Sequence, residues 1–220
     1  MSSPASPLGG FLIGLAAFGW AADTLFRYPL MQAGFDPVLL VCIDHAICLV
    51  FLLPYFWIRH RGQLTSLSRS QWLGLFVIGA GASGIATVLF TASFALVNPS
   101  VAILIQKLQP VFVIFFAFLF LKERPSRSFY LWAPIALLSG LVISFSDFNF
   151  HFVRDLNPQS KGALYAFSAA LIWALGTVIG KRVVGQISPG IVTYWRFQFG
   201  LLTLVVLYFA GRGSLTSFEI

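Results

Sequence analysis

The sequence predicts an all-helical polytopic membrane protein that crosses the bilayer about seven times. Three observations carry that expectation. The chain is 58% hydrophobic and 10% charged, whereas soluble domains are roughly 25% charged. Its mean hydropathy is +0.87. Apolar runs near the length of about 20 residues that spans a hydrocarbon core recur along it, with basic residues between them.

Taken in order, the spans are about Gly9–Met31, Val38–Ile58, Gln71–Phe94, Ser100–Leu121, Phe129–Phe145, Gly162–Gly180 and Gly190–Ala210. The first is a retained span. No basic residue precedes it and no small-residue cleavage site follows it, so it does not read as a signal peptide. The second holds Cys42 and Cys48, which read as small buried hydrophobes rather than as a disulfide or a metal site. The third carries Gly79-Ala80-Gly81-Ala82-Ser83-Gly84, with Ala80 and Gly84 at the small-xxx-small spacing that lets helix backbones approach. Gly140/Ser144 in the fifth span and Gly176/Gly180 in the sixth repeat it. Pro29, Pro110 and Pro134 lie inside apolar runs, and each is expected to free a backbone carbonyl and bend its helix. The fourth span is the most unusual, because Gln106, Lys107, Gln109 and Pro110 interrupt it before it closes on Lys122-Glu123-Arg124-Pro125.

Basic residues set the orientation. Arg59, Arg61 and Arg69 lie in the second loop, Lys122, Arg124 and Arg127 in the fourth, and Lys181 and Arg182 in the sixth. The odd-numbered connections carry only Arg154, Lys161 and Arg212. The even loops and the N-terminus are therefore expected on the cytoplasmic side of a bacterial-type inner membrane. Basic residues spread between apolar spans read as topology signals, so the net charge of +7 does not point to nucleic acid.

The chain also repeats. Trp20-Ala21 matches Trp173-Ala174, Thr24 matches Thr177, Pro37 matches Pro189, and Arg61-Gly62-Gln63-Leu64-Thr65-Ser66 matches Arg212-Gly213-Ser214-Leu215-Thr216-Ser217. Five spans separate the two starts, so the second copy enters the membrane from the opposite side. Inverted repeats of this kind build secondary transporters, with the substrate site near the midplane between the halves. The expected organisation is one complete five-helix repeat over residues 9–147 and a second over 160–220 that stops after two helices.

The stretches GALYAFSAALIWALGTVIGKRV and PGIVTYWRFQFGLLTLVVL, and the fourth span with its central proline and closing Leu121-Lys122-Glu123-Arg124-Pro125, resemble the EamA-like family of the drug/metabolite transporter superfamily. The resemblance implies a ten-helix fold of two inverted five-helix repeats, and transport of a small molecule. One departure is Asp44-His45 in the second span, where the family usually has an arginine, as the second copy does at Arg196.

Ionisable groups inside a bilayer rarely face lipid and mark substrate or ion pathways. Here they are Asp23, Arg27, Asp44, His45, Lys107 and Arg196. Asp23 and Arg27 are four residues apart on one helix face and can pair. At about 1.5 Å per residue, Lys107, Asp44 and Asp23 lie roughly 10, 9 and 12 Å from the outer ends of their spans, so one outward-facing cavity could hold all three. A structural salt bridge from Lys107 to Asp23 or Asp44 is the alternative and compatible reading. Arg196 lies at about 9 Å from the inner end of its span, mirroring Asp44. Gln106 and Gln109 flank Lys107, and at least one is expected to face the cavity. Trp20 and Trp173 are candidate cavity walls, with core packing as the equal alternative. For His45, proton coupling and a helix–helix hydrogen bond stand side by side.

The expected function is secondary transport, as an exporter of a small polar metabolite or xenobiotic, by alternating access around a midplane cavity. Three basic and two acidic intramembrane groups, histidine aside, lean toward an anionic or zwitterionic substrate. The expected partners are that substrate, the lipid bilayer and protons, with a homo-oligomer or a helix-supplying partner completing the bundle. The alternative is a truncated, non-transporting membrane protein or subunit. No cofactor is expected, and the absence of HExxH and GxSxG motifs argues against an enzyme.

Overall fold

The structure is a computed structural model that describes residues 7–60, 67–144, 158–184 and 187–211. Seven helices run through them: α1 Pro7–Gln32, α2 Pro37–His60, α3 Arg69–Leu96, α4 Pro99–Leu121, α5 Phe129–Ser144, α6 Pro158–Val184 and α7 Pro189–Gly211. All except α5, whose described length is 16 residues, are long and apolar enough to cross a membrane. The Arg61–Ser66 and Arg212–Ser217 motifs, Arg154 and the expected end of the first repeat at 147 lie outside the described residues.

The sequence punctuates these helices in a consistent way. Proline stands first in α1, α2, α4, α6 and α7, where its fixed φ suits the first turn and its missing N–H is no loss. Asp36 caps α2, its Oδ1 accepting from the N–H groups of Val38 and Leu39 at 2.7 and 2.9 Å. Ser68 and Gln71 form a reciprocal capping box at the start of α3. Asn98 caps α4 by accepting from the Ser100 N–H at 2.9 Å. Gly34, at φ +77°, turns the chain between α1 and α2.

Two helices depart from regularity where the sequence is unusual. In α3, the glycine-rich segment Val77–Ile85 widens to a π-helix, and the Ala86 N–H reaches back five residues to the Gly81 carbonyl. In α4, the helix breaks at Lys107-Leu108 and resumes at Gln109, because Pro110 has no N–H to offer the Gln106 carbonyl. Pro29 and Pro134 behave differently: α1 and α5 continue as helices through them.

α3 and α6 are the centre of the bundle. α6 packs along α3 and α4, α7 packs against α2 and the π-segment of α3, and α1 lies on the second half of α3. Glycine makes the close approaches possible. A Cβ on Gly79 would stand 2.5 Å from the Phe199 Cβ and 2.8 Å from the Arg196 carbonyl, and one on Gly176 would stand 2.5 Å from the Ala82 Cβ. The expected Ala80/Gly84 contact is therefore shifted by one residue in its tightest part. Gly84 makes ordinary contact with α7 at 3.5 Å, and Gly180 has only Ile78 near it at 3.9 Å. The side-chain surroundings of Gly140 and Ser144 lie outside the described residues.

Consecutive helices alternate in direction, which defines two ends. At the α1–α2 end, Gln32 donates to the Phe94 carbonyl at 2.8 Å, and Gly162 of α6 sits against Leu96 and Val97. At the α6–α7 end, Gly74 of α3 sits against Ile179 and Val183. There Lys181 also bonds both Glu123 oxygens, at 2.6 and 2.7 Å. That pair is exposed, so it contributes at most about 1 kcal/mol.

Candidate functional site

Two polar constructions lie toward opposite ends of the bundle. The first centres on Arg27. Its Nε donates to Asp23 Oδ2 at 2.7 Å, one terminal nitrogen donates to Asp44 Oδ2 at 2.7 Å, and the other donates to Thr91 Oγ1 at 2.9 Å. Helix periodicity supplies the first contact, since Asp23 and Arg27 are four apart. The turn at Gly34 folds α2 back and supplies Asp44, and the packing of α1 on α3 supplies Thr91. The cluster thus ties α1, α2 and α3 together at the α1–α2 end. Charge-assisted bonds of this kind are about twice as strong as neutral ones. Thr91 is fully buried and the Arg27 side chain nearly so, while both carboxylates are only partly covered by the protein.

The second construction is a cavity of about 520 Å³ toward the α6–α7 end. Trp173, Gly176, Thr177 and Gly180 line it from one face of α6, and Pro189, Val192, Thr193 and Arg196 line it from one face of α7. Both sets recur at three- and four-residue spacing, as one helix face requires. Trp20, Ile78, Ala82, Gln106 and Gln109 complete the wall. Thr177, Thr193 and Arg196 are not covered by other protein groups although they sit in membrane-spanning helices. The Arg196 Nε donates to Ser83 Oγ, on the π-segment of α3. Trp173 Nε1 donates to the Ala82 carbonyl at 2.8 Å, so its polar edge is occupied and its ring serves as apolar wall. Trp20 meets it edge-on, with ring centroids 5.8 Å apart.

The residues singled out in the sequence therefore separate. Trp20, Gln106, Gln109, Trp173 and Arg196 share the cavity, and Asp23, Arg27 and Asp44 share the ion cluster. His45 belongs to neither. It is buried beside Phe197, with Nδ1 donating to the Val41 carbonyl at 2.9 Å and Nε2 without a hydrogen-bond partner. Lys107 is exposed at the break in α4, outside the cavity lining. The alternative reading of Lys107, a bridge to Asp23 or Asp44, is not formed in the structure, where Arg27 engages both carboxylates from within α1. Equal depth along separate helices does not give equal azimuth, and the helix break turns Lys107 away.

Sequence reasoning missed Thr91, Ser83 and Thr193 as site residues. It noted Thr177 only as a repeat match. A usable signal existed for Thr177 and Thr193, which stand four residues after Trp173 and three before Arg196 on the same helix faces. Ser83 and Thr91 carried none, since a lone hydroxyl in an apolar run is ordinary in membrane helices.

Comparisons with known proteins agree with this architecture. The chain is 27% identical over 213 residues to the riboflavin transporter ImpX of Fusobacterium nucleatum, covering 94% of this chain and 70% of that protein. It is 25% identical over 200 residues to an uncharacterized transporter of Clostridium kluyveri, covering 90% of this chain and 64% of that one. It is 26% identical over 125 residues to the uncharacterized inner membrane transporter YhbE of Escherichia coli, covering 56% of this chain and 39% of YhbE. No solved structure matches it. The sequence model of the EamA-like transporter family matches residues 7–145 and again residues 160–218. Polytopic helices, a polar cavity within them and these matches agree, and the chain belongs to the EamA-like transporter family.

Proposed function

We propose that this chain forms a secondary transporter that exports a small polar metabolite across the bacterial inner membrane by alternating access. The observation that carries the reading is the separation of the two constructions. An open cavity stands toward one end of the bundle, and a network of charged hydrogen bonds joins α1, α2 and α3 at the other. Its volume of about 520 Å³ falls in the range of roughly 300–1,000 Å³ that small-molecule sites occupy. The cavity end carries Arg59, Arg69, Lys122, Arg124, Arg127, Lys181 and Arg182, which supports a cytoplasmic assignment by the positive-inside rule. That orientation supports reading the cavity as the loading side of an exporter and the Asp23–Arg27–Asp44–Thr91 cluster as its closed outer gate.

Inverted-repeat organisation fits the same reading. Repeat-equivalent residues meet in two places: Trp20 with Trp173, and His45 with Phe197, whose rings are 5.1 Å apart. Self-contact between equivalents is what residues near a pseudo-twofold axis make. His45, whose Nε2 has an open lone pair, is the group we assign to proton coupling.

The test is flux of riboflavin and a panel of small polar metabolites into proteoliposomes carrying the full-length protein, with and without a proton gradient. Filling the cavity with Thr193→Trp is expected to abolish flux, and Gln109→Ala to lower it about tenfold, the worth of one hydrogen bond to a charged or polar substrate group. Lys107→Ala is expected to leave it within about twofold. Unchanged flux in Thr193→Trp at normal protein level would refute the cavity as the pathway.

A further inference from the structure

The two copies of the repeat differ at the positions that matter most. In the register that aligns Trp20 with Trp173 and Thr24 with Thr177, Asp23 corresponds to Gly176 and Arg27 to Gly180. In the register that aligns Pro37 with Pro189, Asp44 corresponds to Arg196. The first copy thus holds an acid–base–acid set that satisfies itself: Arg27 donates to both carboxylates and to Thr91. In the second copy two glycines remove the acid and the base on α6, and the remaining acid has become a cation on α7. Gly176 lines the cavity while packing against Ala82, the space left beside Gly180 is part of the cavity, and Arg196 lines it from α7.

Arg196 lacks what Arg27 has. Among the described residues, Asp23 and Asp44 are engaged by Arg27, Glu123 by Lys181, and Asp36 by the backbone of α2, and none makes an ion pair with Arg196. Its Nε donates to Ser83, which leaves the two terminal nitrogens for a ligand. A guanidinium lining a membrane-protein cavity without a carboxylate partner offers its planar N–H fork to an anionic group. The rest of the wall sets the remaining chemistry. Thr177 and Thr193 donate their hydroxyl protons to the Trp173 and Pro189 carbonyls, at 2.8 and 3.0 Å, and so face the cavity as acceptors. Gln106 and Gln109 supply amides, and the Trp20–Trp173 pair supplies a flat aromatic wall.

We propose that the cavity binds an anionic small molecule with a planar aromatic body and donor groups, its negative group on Arg196. This rests on the transport reading above, and it narrows the substrate class. One charge-assisted contact to a carboxylate separates an acid from its amide by about tenfold or more.

The experiment measures binding of a matched set, indole-3-acetate, indole-3-acetamide and tryptamine, to the full-length protein in nanodiscs by titration calorimetry. The flux panel is run on the same preparation. The acid is expected to bind about tenfold more tightly than the amide, and the amine more weakly than either. Arg196→Gln is expected to bring the acid down to the amide's affinity while changing the amide's by less than about threefold, and Arg196→Lys to restore part of the preference. The acid-over-amide preference in the unmodified protein needs no variant, so the proposal stays exposed if Arg196→Gln fails to fold. Equal binding of acid and amide, a preference that survives Arg196→Gln, or failure of indole-3-acetate to bind would each overturn it. If flux of another small molecule persists in that case, the anionic assignment falls and transport stands. If no panel member is carried at all, the transport reading itself falls.

Discussion

Arg27→Met is expected to lower the stability of the protein in detergent by roughly 2–3 kcal/mol, read as an early thermal transition. The change removes three hydrogen bonds, and it leaves Asp23 and Asp44 without a cation inside a bilayer. Breaking a fully buried pair costs about 3–5 kcal/mol, mostly from the orphaned charge. The lower figure applies here because the two carboxylates are 40% and 37% exposed. The compensated variant, Asp23→Asn with Arg27→Met and Asp44→Asn, carries no orphaned charge and is expected to recover most of the loss. It is nonetheless expected to transport poorly, by about tenfold, because a gate works only through contacts made in one state and not in the other. A stable triple variant with full flux would leave the cluster as scaffolding.

Gly79→Ala is the second large effect. The new methyl group meets the Phe199 Cβ and the Arg196 carbonyl, and the carbonyl belongs to backbone that cannot rotate aside. α7 must move away from α3, at a cost of about 1–3 kcal/mol. Since α7 carries Arg196 and Thr193, flux is expected to fall with stability. Gly14→Ala is the matched control. Nothing lies within 4 Å of its new methyl group, and the substitution favours helix, so stability is expected to hold or rise by up to about 1 kcal/mol. Equal losses in both variants would argue against close α3–α7 packing.

What the sequence reveals and conceals follows from the period of a helix and the absence of any signal for azimuth. Apolar run lengths and prolines at first-turn positions locate the helices, because spanning hydrocarbon demands both length and internal hydrogen bonding. The π-segment at Val77–Ile85, where α7 packs closest to α3, is invisible in composition beyond its glycines. Charged residues inside spans can be found by eye, but which of them meet depends on rotation about each helix axis. Asp23 and Arg27 were readable as a pair because they share a helix. The second partner, Asp44, required the fold. Lys107 shows the converse: its depth suited a bridge, and the break before Pro110 placed it elsewhere. Gly176 and Gly180, which read as a helix contact motif, divide in the structure. Gly176 does pack against Ala82, while Gly180 leaves open space beside the cavity.

Alternating access makes a sided claim that chemical labelling reads directly. With Cys42 and Cys48 replaced by alanine, single cysteines at Thr193 and at Thr91 can be probed with a membrane-impermeant thiol reagent, in right-side-out and in inside-out vesicles. Thr193→Cys is expected to react from the cytoplasmic face and to resist from the outer face, because it lines the cavity at the α6–α7 end. Thr91→Cys is expected to resist from both faces, because the side chain it replaces is fully buried beneath Arg27. Reaction of Thr193→Cys from the outer face alone, or from neither, would contradict a cytoplasm-facing cavity closed at its outer end.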